Sequence, residues 1–158
     1  MSGEATGPDA GDEAIGGSRG SDPADPDRVA TLIVDAMNVI GSRPDGWWRD
    51  RDGALRRLVA RVERYARHHA TEVVVVADGR APSDLPSGRY DGVHLYFARR
   101  SGPDAADDRI VELLEAGPAE WVVVTADGGL RERVEERGHR VLGPGRFLRA
   151  LDDLDPPG

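Results

Sequence analysis

Cysteine, lysine and glutamine are absent from the 158 residues, and asparagine occurs once, at Asn38. Without cysteine there is no disulfide framework, no thiolate zinc site and no cysteine nucleophile. Aromatic residues are scarce, at 5%. The longest aliphatic run, Val73 to Ala77, falls far short of the roughly 20 apolar residues that span a bilayer. The N-terminus is acidic and glycine-rich, without the basic-then-apolar pattern of a signal peptide. No Walker motif or serine-hydrolase elbow is present. These absences point to a cytoplasmic protein with no membrane partner.

What is present is charge, unevenly spread. Twenty-nine acids face 21 arginines, for a net charge of −8. Residues 1–28 hold seven of the acids and two arginines, a charge of −5, with Ile15 as their one large aliphatic residue. Such a segment cannot bury enough apolar surface to offset ordering entropy, so it reads as a disordered acidic tail. The single domain is expected over 29–151, followed by a short frayed tail, 152–158. A chain of this length buries roughly two-thirds of its unfolded surface and needs no staple to fold.

Within 29–151 the patterns alternate. Thr31–Asp35, Val73–Asp78 and Trp121–Asp127 are short apolar runs, each ending in a carboxylate. Continuous runs rich in Val and Ile fit strands covered on both faces. Val93–Phe97 alternates more, and His139–Leu142 is a weak final strand. Between them lie helical stripes: Leu55, Leu58, Val59, Val62, Tyr65 and Ala66, with Asp52 as expected N-cap; then Ala106, Ile110, Leu113 and Leu114; then Leu130 and Val134; then Phe147, Leu148 and Leu151. Strands alternating with helices give an α/β fold, a parallel sheet of about five strands with helices on both faces.

In such a sheet the site lies outside the carboxyl ends of the strands. Asp35, Asp78 and Asp127 end strands, and Asp104, Asp107 and Asp108 open the helix after the third. Carboxylates crowded together repel and cannot all stay ionised. A hard divalent cation resolves such an oxygen-rich cluster and can drive phosphodiester displacement. Arg43, Arg49, Arg51, Arg80, Arg89, Arg99 and Arg100 fall in loops at the same edge and suit a polyanion. Trp47 and Trp48 share the first of these loops; one is expected in the core and the other is open to stack on a base.

These residues resemble a family. Val34-Asp35-Ala36-Met37-Asn38-Val39-Ile40-Gly41 is similar to the Asp-x-x-Asn-x-x-Gly opening of NYN domains, of the PIN-like nuclease superfamily, and most to their YacP-like branch. Val76–Gly79, Ala106–Ile110 and Val124–Asp127 with Leu130-Arg131 resemble that branch's later acidic motifs. The resemblance implies a Rossmann-like, three-layer PIN-like fold with strand order 3-2-1-4-5, Mg²⁺ or Mn²⁺, and endonucleolytic cleavage of RNA. It implies catalytic roles for Asp35, Asn38, Asp78, Asp107 and Asp127. It implies metal ligation by Asp35, Asp78, Asp107 and Asp127, with Asp108 as a further ligand or base. Substrate contacts are expected from Asn38, Arg43, Trp48, Arg80, Arg99, Arg100 and Thr125. The substrate is expected to be single-stranded or ribosome-associated RNA; a homodimer and a protein inhibitor stay open. The chain departs from the family where Met37 replaces an aromatic and where its end is acidic instead of basic. Two other readings stand beside this one: a nucleotide pyrophosphohydrolase or other small phosphoester hydrolase, and a non-catalytic RNA-binding module.

Overall fold

A computed structural model describes residues 31–98, 102, 104–116 and 120–156. The acidic tail 1–28 and the loop residues Arg99 and Arg100 lie outside them. The continuous apolar runs become strands because period-2 alternation gives each of them two buried faces. In β1 (Thr31–Asp35), Leu32 and Val34 join one core layer and Ile33 the other. In β2 (Val73–Ala77), Val73, Val75 and Ala77 face the first layer and Val76 the second. In β5 (Trp121–Val124), Val122 and Val124 divide from Val123 in the same way.

The first layer is roofed by α1 (Ala36–Gly41), α2 (Arg51–His69) and α5 (Pro144–Leu154), and the second by α3 (Ala105–Glu115) and α4 (Gly128–Glu136). Two short edge strands, β3 (Gly88–Tyr90) and β6 (Arg140–Leu142), and β4 (Val93–Phe97) complete the sheet. The order is β3-β4-β2-β1-β5-β6, parallel throughout except for the β3–β4 pair. Without β3 this is the 3-2-1-4-5 order expected above. β3 makes the sheet six-stranded instead of about five; its Gly-Arg-Tyr carries no apolar alternation that could announce it.

Other departures have local causes. Asp50, not Asp52, caps α2: its Oδ1 accepts the Gly53 N–H at 2.9 Å, while Asp52 lies in the first turn. α1 starts directly from Asp35, with no loop between strand and helix. α5 runs to Leu154, so residues 152–154 are helical, not a frayed tail. Arginines from the first layer hold that end. Arg43 bridges Asp152 bidentately at 2.8 and 3.2 Å, Arg61 reaches both Asp152 and Asp155, and Arg64 reaches Asp155.

Candidate active site

β1 ends on a carboxylate that the fold buries. Asp35 is 6% exposed, and with Thr125, at 0%, it makes up the buried polar residues among those described. A buried ionised group needs partners, or it neutralises. The sheet register supplies one partner: Val34 lies opposite Val124, which sets Thr125 beside Asp35. The Thr125 hydroxyl donates to Asp35 Oδ2 at 2.9 Å and accepts the Asp127 N–H at 3.1 Å. A backbone hydrogen bond from Asn38, in the first turn of α1, also favours the charged form of Asp35. Neither contact brings a cation. Burial therefore dominates, and with Asp107 and Asp127 adding like charge it pushes Asp35 up to about 6.

Asp107, in the first turn of α3, behaves similarly. Burial, then repulsion from Asp127 and Asp104, pushes it up to about 6, with Arg133 opposing. It makes no hydrogen bond or ion pair among the described residues. Asp127 caps α4, Oδ1 accepting the Leu130 N–H at 2.8 Å. Asp35, Asp107 and Asp127 thus reach one electrostatic neighbourhood from a strand end, a helix start and a cap.

The remaining expected residues fare differently. Asp78 follows β2 but is bound to Arg51 at 3.0 Å, and the carboxylates acting on Asp35 are Asp107 and Asp127. Asp108 is held by Arg133 at 3.0 Å. Asn38 spends its Oδ1 on the Ala126 N–H at 2.7 Å, tying α1 to the segment after β5, so that oxygen is not free for substrate. Thr125 is fully buried; its hydroxyl orients Asp35 and does not offer a surface contact. Arg43 is drawn to Asp152, and Arg89 to Glu72. Arg80 is exposed and has no partner among the described residues. Trp47 packs against the first core layer, while Trp48 stays 53% exposed.

Sequence reading missed the arginines that sequester Asp78 and Asp108, and the positioning function of Thr125. Only the Thr-x-Asp spacing hinted at the latter.

The donor set is all oxygen and over-negative, which fits a hard divalent cation. Among the described residues no three acidic or imidazole side chains are drawn to direct ligating distance. Mg²⁺ does not demand that, since it keeps several waters and is usually held by one or two carboxylates.

Residues 32–156 match the family model described as YacP-like NYN domain. No curated protein matches the chain by sequence. Among solved structures it is similar to Rae1 (YacP) from Bacillus subtilis, at 22% identity and TM-score 0.63 over 80% of this chain and 75% of that one. The W164L mutant of the same protein gives 23% identity and TM-score 0.64 over 78% and 75%. At that identity the likeness speaks to the fold. No helix among the described residues is long and apolar enough to cross a membrane.

Proposed function

Because this chain belongs to the YacP-like NYN family, a branch of the nuclease-type PIN-like domains, we propose that it is a metal-dependent endoribonuclease. One observation carries the reading: Asp35, buried at the end of β1 with only Thr125 and the Asn38 backbone as partners among the described residues, feels Asp107 and Asp127 as like charges and has no cationic side chain bound to it. Structural carboxylates normally acquire an arginine, as Asp78, Asp84 and Asp152 do here. A group left over-negative and desolvated is a candidate functional site. Asp35, Asp107 and Asp127 would hold Mg²⁺ or Mn²⁺. The chemistry such an ion would lend is Lewis acidity toward water and toward the charge of a phosphodiester.

The chain's own residues do the rest. Thr125 and the Asn38 backbone hold Asp35 in one orientation. The Asn38 side-chain amide, its oxygen fixed on Ala126, presents its N–H donors to a phosphate oxygen. Arg51 and Arg133 bind Asp78 and Asp108, so that neither carboxylate adds an uncompensated charge.

The test is the Asp35→Asn, Asp127→Asn double variant, in which the Asp127→Asn cap is retained. Losing even an outer partner of a metal site costs about 10–100-fold, so Mn²⁺-dependent cleavage of a single-stranded oligoribonucleotide should fall by at least that upper value. Undiminished cleavage by the pure double variant rejects the proposal. Faster turnover of a nucleoside triphosphate than of the oligonucleotide would favour a nucleotide hydrolase.

A further inference from the structure

The segment between α1 and α2 builds something the acidic site does not use. Gly46, at φ +87°, opens a tight turn that only glycine adopts without strain. A single 3₁₀ turn follows, Trp47–Arg49, closed by Arg49 N–H to Gly46 O at 3.0 Å and Asp50 N–H to Trp47 O at 3.1 Å. Trp47 anchors the turn in the core, and Asp50 locks its far end by capping α2. Trp48 rides on this support, set edge-on to Trp47 with centroids 5.9 Å apart and planes at 86°. The Arg49 guanidinium lies 5.7 Å from the Trp48 ring centre. Trp48 is still the exposed large apolar side chain among the described residues.

A lone surface apolar residue needs no explanation. What marks this one is a hydrogen-bonded turn beneath it, a neighbouring cation and place. The turn leaves the helix that begins at Asp35, and Arg51, three residues after Trp48, grips Asp78 just past the end of β2. Trp48 therefore lies in the connection that joins the helix starting at Asp35 to the arginine bound to Asp78 at the carboxyl end of β2. Arg80, two residues beyond Asp78, is exposed and lacks a partner among the described residues.

We infer that Trp48 is a stacking platform for one unpaired nucleobase, with Arg49 and Arg80 taking the flanking phosphates, so that the site selects single-stranded RNA. This rests on the ribonuclease reading. A pre-held indole costs little entropy to engage, and any base presents a π-face to it, so the platform is indifferent to sequence. Bases inside a duplex are already stacked on one another and cannot reach it.

The experiment uses the full chain carrying Asp35→Asn and Asp127→Asn, which removes cleavage and two repelling charges. Its binding to a labelled oligoribonucleotide of about ten nucleotides, within the usual site sizes, is compared with binding to the same sequence in a duplex. Adding Trp48→Ala should weaken single-strand binding about tenfold, the loss of one stacked base, and leave duplex binding unchanged. Trp48→Phe should retain most of the affinity. Arg49→Ala and Arg80→Ala should each lower the salt slope by about one. Single-strand affinity unmoved by Trp48→Ala, an equal fall on duplex, or no single-strand binding at all overturns the inference; a Trp48 that serves a protein partner gives the first of these results. The two readings fail separately. Trp48-dependent binding by a parent chain that cleaves no RNA with any divalent cation sinks only the ribonuclease. A parent that cleaves while Trp48→Ala binds normally sinks only the platform.

Discussion

Asp35 and Asp107 set a pH dependence whose sign is opposite to that of ordinary salt-bridged acids. Both are held above the ordinary carboxylate value of 3.8, at about 6, so between those limits the folded chain binds protons that the unfolded chain does not. Their stabilising contribution is full below about pH 4 and is lost as pH rises through about 6. In chelator, thermal midpoints followed across this range should fall with rising pH. Asp35→Asn should flatten the profile and raise the midpoint above pH 6; a single pKa unit corresponds to about 1.4 kcal/mol. An Asp35→Asn profile as steep as the parent's would show that the buried carboxyl does not titrate there. Adding Mn²⁺ should reverse the trend, because cation and proton compete for the same oxygens. Thr125→Val removes the hydroxyl from both Asp35 and the Asp127 N–H. Leaving a buried polar group unsatisfied costs about 1–3 kcal/mol, measurable by urea unfolding, and Thr125→Ser should restore most of it.

Among the elements, the turn between β3 and β4 meets α2 with no room to spare. Gly92 has φ +75°, and a Cβ there would lie 2.7 Å from Ala66 Cβ. Gly92→Ala combines a left-handed backbone, costing about 1–2 kcal/mol, with a clash against a packed helix, so the loss should reach at least that range by denaturant unfolding. A smaller loss would mean that the hairpin shifts freely against α2. This turn also marks where sequence reading ran out. Strands β1, β2 and β5 declare themselves because apolar residues fill both of their faces. β3 is held by pairing with β4 and by Arg89 to Glu72, which leave no periodic trace. The same limit applied to the site. Strand-end aspartates could be counted from spacing, and Asp107 and Asp127 do act on Asp35 as like charges. Which acids an arginine would claim depended on helix α2 approaching Asp78 and α4 approaching Asp108, contacts 27 and 25 residues apart in sequence.

For the whole molecule, the acidic balance conceals an internal economy of arginines. Arg43, Arg61 and Arg64 clasp α5 through Asp152 and Asp155, and of these Arg43, Arg61 and both aspartates line a cleft of about 340 Å³. Exposed pairs contribute up to about 1 kcal/mol each. Asp152→Ala with Asp155→Ala should therefore lower stability by about 1–2 kcal/mol in dilute buffer, and by much less in 1 M salt, where screening shortens to about 3 Å. An undiminished penalty in salt would assign the effect to packing. The order in which the chain assembles its carboxylates has one more consequence. Asp35 lies in the first strand, yet the hydroxyl that orients it comes from Thr125 and one of its charged neighbours is Asp127. A nascent polypeptide emerging from the ribosome thus carries Asp35 without these two partners through most of synthesis. It gains the Thr125 hydroxyl and the Asp127 charge only when β5 docks alongside β1, so on the ribonuclease proposal the site is assembled last.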